Sequence, residues 1–173
     1  MSWNIYLVLA AFTLYLCYNF VILSFFGIPR SLSQTFYDFE ARKSWMRIFF
    51  PIMMIGVGVL LLPSWLEISD GSNFMFTSFL AAAGIIFSGS APAFKRSDLE
   101  DKVHTGSAFF AATFAIIWII LVAKLWWFII VWTAIISIVA FITKTWKTGL
   151  VYWLETITFM STFTSIIAYF TLK

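Results

Sequence analysis

The sequence predicts an all-α integral membrane protein, a bundle of six transmembrane helices with a short cytoplasmic interfacial helix before the second. Three observations carry this. Of the 173 residues, 62% are hydrophobic, against roughly 45–50% in a soluble globular protein. Only 11% are charged, where about 25% is usual; so few charges cannot coat a soluble fold of this size. The mean hydropathy is +0.95, and the apolar residues fall in stretches close to the roughly 20 that a helix needs to cross hydrocarbon. No segment between these stretches is long enough to bury its own core, so residues 1–173 read as a single transmembrane domain.

The first expected span is 3–26. The start Met1-Ser2-Trp3-Asn4 lacks a positive n-region, and no small-residue cleavage site follows, so this segment is expected to stay in the mature protein. Asn19 is a polar group inside it that requires a partner. Cys17 reads as a small buried hydrophobe, because one Cys with one His makes neither an internal disulfide nor a metal set. In the loop 27–47, Ser31-Leu32-Ser33-Gln34 has the spacing of a capping box, with the Ser31 hydroxyl accepting from the first turn and Gln34 reaching back. Leu32, Phe36, Phe39 and Lys43 then share one helical face, which suggests an interfacial helix.

The second and third spans are expected at 48–66, with Pro51 and Pro63 near its ends, and at 74–94. Ser97-Asp98-Leu99-Glu100 is a second capping box, so the fourth helix should start near Asp98 and enter the membrane past His104. The apolar stretch from Thr105 to Thr143 contains one charge, Lys124. As a single helix it would be about 58 Å long, so it divides into spans at 105–123 and 125–143. No Gly, Pro or Asn marks that turn. The sixth span is 150–172.

Charge orients the bundle. Six spans put Arg30, Arg42, Lys43, Arg47, Lys95, Arg96, Lys102, Lys144 and Lys147 on one side, and only Lys124 and Lys173 on the other. The positive-inside rule makes the first side cytoplasmic and both termini external. Trp3, Trp65, Trp126 and Trp127 then fall at outer ends and Trp45, Trp146 and Trp153 at inner ends, the headgroup level that amphipathic rings favour; Trp118 and Trp132 lie within spans. The net charge of +3 is spread over short loops, so it anchors lipid and does not indicate nucleic acid.

The sixth span carries the candidate site. Glu155 is the acidic residue placed well inside an apolar stretch, where charge is costly and usually faces a bundle interior. Tyr152, Glu155, Thr158, Thr162, Ser165 and Tyr169 follow at spacings of three and four, which is one helical face. Leu154, Ile157, Phe163, Ile167 and Phe170 make the lipid-like opposite side. The face is either a pathway or pocket for a small solute, ion or proton, with Glu155 as its titratable group, or a strip of hydroxyls that joins helices. His104, at similar depth, is the candidate proton partner of Glu155; the alternative is an interfacial histidine bonded to water or phosphate. Asp98, Glu100 and Asp101 read as a solvated helix start. No nucleophile triad, metal set or phosphate loop is present, and no cofactor is implied. The long first loop has no counterpart in the second half, so an inverted-repeat transporter is not indicated.

Small residues mark packed faces: Thr77, Ala81, Gly84, Ser88 and Ala91 in the third span, Ala108, Ala111, Ala112 and Ala115 in the fourth, and Thr133, Ser137 and Ala140 in the fifth. The third, fourth and sixth spans are the expected bundle centre, and Ile86 is expected toward lipid.

Two stretches, Ile28-Pro29-Arg30-Ser31-Leu32-Ser33-Gln34-Thr35 with Tyr37, and Ser88-Gly89-Ser90-Ala91-Pro92 followed by Val103-His104-Thr105-Gly106-Ser107-Ala108, resemble a group of small polytopic membrane proteins from gut Bacteroidota and their phages. The resemblance covers about a third of the chain and implies a bacterial inner membrane. No activity is known for that group, so it assigns no functional residue. The leading expectation is a non-enzymatic membrane protein that binds or passes a small solute, ion or proton. The second is a structural or assembly protein, as a homo-oligomer or envelope factor. The third is a lipid-modifying enzyme with Glu155 and His104 as its acid/base pair.

Overall fold

The computed structural model describes residues 3–172, and those residues form seven α-helices and no strand. They are α1 (Asn4–Phe26), α2 (Thr35–Arg42), α3 (Phe49–Ser69), α4 (Phe76–Ser90), α5 (Asp98–Trp118), α6 (Trp127–Ile142) and α7 (Leu150–Leu172). A 3₁₀ turn, Ser44–Ile48, leads into α3, and a π-helical turn, Ile119–Ala123, continues α5. Four helical stretches are long and apolar enough to cross a membrane: α1, Ser44–Ser69, Asp98–Ala123 and α7. That is fewer than the six expected.

The two short helices explain the difference. α4 has 15 residues and α6 has 16, or about 22 and 24 Å at 1.5 Å per residue, against a core of about 30 Å. The apolar run at 74–94 includes turns at both ends. Met75 N–H donates to the Ser72 carbonyl before α4, and the backbone unwinds at Ala91, ahead of Pro92. α6 is bounded by two lysines in the left-handed region, Lys124 and Lys144, both at φ 57°. Each follows a helix C-terminus, where a left-handed residue ends the hydrogen-bond ladder and a cation suits the dipole. The turn at Lys124 is closed by the Leu125 N–H donating to the Ile119 carbonyl at 3.2 Å. Lys173, counted above with the outer charges, lies outside the described residues, as do Met1 and Ser2.

Helix α3 packs between α1 and α4, α4 lies against α5, α7 touches α1 and α5, and α6 lies against α7. The second span therefore belongs to the bundle centre alongside the expected third, fourth and sixth, the sixth touching α1, α3, α5 and α6. Two close approaches use glycine: a Cβ at Gly58 of α3 would meet Ile86 Cγ1 of α4 at 2.8 Å, and one at Gly84 of α4 would meet the Ala111 backbone nitrogen of α5 at 2.7 Å. Ile86, expected toward lipid, packs on α3 at Gly58 and is half-buried. The small face of α4 is buried at Thr77, Ala81, Gly84 and Ser88 as its spacing implies. Thr133 and Ser137 of α6 are exposed, because only one side of α6 has a neighbour.

Three more expectations are corrected. The apolar face of α2, with Leu32, Phe36 and Phe39, is buried in the bundle core, where Phe39 meets the rings of Tyr18, Phe26 and Phe49. The apolar face of this helix thus packs on protein. Trp65 is fully buried against Trp118, with ring centroids 6.1 Å apart, and is not a headgroup anchor. Cys17 is exposed on α1.

Candidate functional site

The three basic loops meet at one end of the bundle. Arg96 donates to both carboxylate oxygens of Glu40 at 2.6 Å, and Arg47 to Glu40 Oε1 at 2.7 Å. Lys95 reaches Gln34, and its backbone N–H donates to the Tyr37 hydroxyl at 2.6 Å. The Tyr152 N–H at the start of α7 donates to the Arg30 carbonyl at 3.1 Å. The hydrogen bonds from Arg96, then those from Arg47, hold the Glu40 carboxyl below its ordinary pKa. At the far end Lys124 shares a cleft with Asp70 and Asn73 of the α3–α4 loop.

The candidate site lies inside the basic end. Ser31 begins a turn ahead of α2, and its hydroxyl accepts from the Gln34 N–H at 3.1 Å, the first half of the capping box. Gln34 does not reach back; its amide donates to Asp38 at 3.1 Å. Glu155 of α7 supplies the second acceptor, its Oε2 taking the Leu32 N–H at 2.7 Å. A carboxylate at a helix N-terminus is favourable both as an acceptor and toward the dipole.

Glu155 also lines a cavity of about 50 Å³ between α3, α4, α5 and α7. Its walls are mainly apolar, with Phe50, Met54 and Leu61 from α3, Ile85 from α4 and Phe159 from α7. The polar side chains on it are Ser33, Ser88, Glu155, Thr158 and Thr162, with Trp65. The space exists because α5 presents Ala108, Ala111, Ala112 and Ala115 there. Trp65 and Trp118 stand at the end away from the basic loops, where Trp118 Nε1 donates to Ser69 Oγ at 2.8 Å and Ser69 pairs with Ser78 at 2.7 Å. At the basic end Ser33, Ala108, Ala112, Glu155 and Thr158 also line a second, open cleft between α5 and α7. Arg30, Ser31, Thr105 and His104 line this cleft, with Phe109, Val151 and Leu154 at its lips.

The polar face of α7 is divided among three settings. Tyr152 turns to α1, its hydroxyl donating to Asn19 Oδ1 at 3.0 Å, while Asn19 Nδ2 donates to the Tyr15 carbonyl at 2.8 Å. Glu155, Thr158 and Thr162 line the cavity; the Thr158 hydroxyl donates back to the Leu154 carbonyl at 3.0 Å. Ser165 is buried without a hydrogen-bond partner, as is Ser161. Phe163, expected toward lipid, is fully buried and packs on Phe12, with centroids 5.0 Å apart, and on Tyr15. His104 is 4% exposed, stacked on Phe94 at 4.6 Å, and its Nδ1 donates to the Ser88 carbonyl at 3.0 Å. That carbonyl is one of those left free at the end of α4. His104 and Glu155 share the α5–α7 cleft, but each is hydrogen-bonded to backbone and not to the other.

Arg30 and Ser33 belong to the site and were not singled out for it by the sequence; Ser33 was marked only by the capping box and Arg30 only by the charge of its loop. No group of three or more His, Cys, Asp or Glu side chains is placed to hold a metal among the described residues. No family model, curated protein or solved structure matches this chain.

Proposed function

We propose that this chain is a non-enzymatic multi-pass membrane protein that binds a small solute or ion in the cavity beside α7, with Glu155 as the polar group at its entrance. One observation carries the reading: a carboxylate stands at the junction of an internal cavity and an open cleft. Thr158 and Thr162 continue one wall of that cavity toward the bundle centre, and the Trp65–Trp118 contact stands at its far end. This favours binding over free passage; passing a solute or proton outward requires that contact to open. His104 supports the non-enzymatic choice, because its Nδ1 is used to hold the end of α4.

In this reading α4 and α6 cross as short helices, giving six crossings, with both termini outside a bacterial inner membrane. Support comes from the gathering of the three basic loops at one end. The resemblance noted above leans the same way on the membrane.

The test is aqueous labelling. In a Cys17→Ser background, Thr158→Cys and Thr162→Cys should react with a small charged methanethiosulfonate in the folded protein. Ser165→Cys, buried but off the cavity wall, should stay unreactive. Silence at all three positions would overturn a hydrated pocket and favour the second reading, in which the face joins helices for assembly. The Tyr152–Asn19 bond between α7 and α1 is the observation on that side.

A further inference from the structure

The cleft between α5 and α7 pairs two features that the pocket reading does not use. The first is its charge pattern. Arg30 and Glu155 line the same cleft, yet neither belongs to an ion pair, the two such pairs among the described residues both being made by Glu40. A guanidinium and a carboxylate therefore line one cleft without forming an ion pair, with the Ser31 and Ser33 side chains beside them. The second is its lips. Phe109, Val151 and Leu154 are exposed apolar side chains, and Ala108 and Ala112 form the inner wall. Such a cleft opens sideways toward hydrocarbon, not only toward water.

We propose that the α5–α7 cleft is a binding site for a zwitterionic phospholipid with a primary ammonium head group, its phosphate on Arg30, its ammonium on Glu155 and an acyl chain along Ala108 and Ala112. This rests on the pocket reading and names the ligand class for it. An ammonium with N–H groups donates charge-assisted hydrogen bonds to the carboxylate, and the planar fork of arginine suits a phosphate. A quaternary ammonium fits less well, because it needs open aromatic faces and the Phe94 ring in this cleft is stacked on His104. An anionic head group without the ammonium would meet Glu155 unpaired, which penalises it. The alanine wall leaves room for a chain, and burying each methylene adds about 0.8 kcal/mol, so tail length as well as head group should govern retention.

The experiment uses the full chain in detergent and native mass spectrometry with four probes: lysophosphatidylethanolamine, lysophosphatidylcholine, lysophosphatidylglycerol and dodecylamine. The ethanolamine lipid should be retained about tenfold better than the glycerol lipid, with the choline lipid between them. Glu155→Gln should bring the ethanolamine and glycerol lipids within about twofold. Arg30→Gln, at an exposed position, should erase the advantage of the ethanolamine lipid over dodecylamine. Ala112→Phe alters neither charge and should lower retention of all four probes. Equal retention of the ethanolamine and glycerol lipids by the unmodified protein overturns the proposal, as does a preference between them that survives Glu155→Gln, an advantage over dodecylamine that survives Arg30→Gln, or retention undiminished by Ala112→Phe. Labelling at Thr162→Cys without any head-group preference would sink the lipid assignment alone and leave the pocket reading standing.

Discussion

Asn19 is an amide within an apolar helix, and both of its functions are used: Nδ2 donates to the Tyr15 carbonyl and Oδ1 accepts from Tyr152. The asymmetry of buried hydrogen bonds makes the pair testable. Tyr152→Phe strands the Asn19 oxygen and should cost about 1–3 kcal/mol. Asn19→Leu combined with Tyr152→Phe removes both partners and should recover much of that loss. Thermal unfolding in detergent measures both; equal destabilisation by the single and the double variant would show that the bond contributes nothing. The same logic bears on Glu155. It is more than an isolated charge, because the Leu32 N–H depends on it, so Glu155→Gln keeps an acceptor for that donor where Glu155→Leu does not. Of the polar face of α7, the sequence made the positions legible but not their partners. Spacing shows that Tyr152, Glu155, Thr158, Thr162 and Ser165 share a side. It does not show that Tyr152 meets α1 while Glu155 meets the turn before α2, since both contacts join residues more than a hundred positions apart.

At the scale of elements, the α4–α5 contact depends on the absence of a side chain. A Cβ at Gly84 would lie 2.7 Å from the backbone nitrogen of Ala111 and from the Ser107 carbonyl oxygen, and backbone cannot rotate away as a side chain can. Gly84→Leu should therefore cost at least the 1–3 kcal/mol typical of overpacking and lower the folded yield. Phe87→Leu, on the exposed face of the same helix, is the control and should be tolerated; equal effects at the two positions would mean the close approach is not limiting. A second element-level device is the clasp of Glu40 on Arg96 and Arg47, which ties α2 to the α4–α5 connection. Those arginines lower the folded pKa of Glu40. A carboxyl lowered on folding contributes stability above its unfolded pKa and loses it as pH falls through the folded value. Acid should thus loosen α2 before the bundle, seen as faster amide exchange over Thr35–Arg42, and Glu40→Gln should make that exchange insensitive to pH. The contribution is small, since the clasp is exposed and screened. Helix positions were largely legible from hydropathy and the two capping boxes, but helix lengths were not. Hydropathy counts Phe74 and Met75 as span although their backbone makes turns, and it cannot tell an apolar face that meets lipid from one that meets protein. That is why the apolar face of α2 reads as facing lipid and Trp65 as a headgroup anchor, when both pack inside the bundle.

Over the whole molecule, two ends of opposite character emerge from contacts between segments far apart in the chain. Around α2 the first basic loop touches the second through Lys95 and Arg96, and the third through the Arg30–Tyr152 backbone bond and the contact of Gly149 with Ile28. At the other end Asn4 donates to Glu67 at 2.6 Å, and Lys124 lies beside the α3–α4 loop. Three separate loops gathered at one end require an even number of passages along the bundle between each pair. α4 and α6 must therefore span the distance between the ends, although neither reaches the length of a full bilayer crossing. Local thinning of the bilayer or burial of the short helices against longer neighbours accommodates a mismatch of this size at a modest cost. Single cysteines in the Cys17→Ser background give the decisive measurement. Ser97→Cys and Thr148→Cys should be labelled from the cytoplasmic face of oriented membranes, and Asn73→Cys only from the opposite face. If Asn73→Cys and Ser97→Cys label from the same face, α4 does not cross. The six-crossing arrangement would then fall, and with it the placement of Glu155 near the cytoplasmic side.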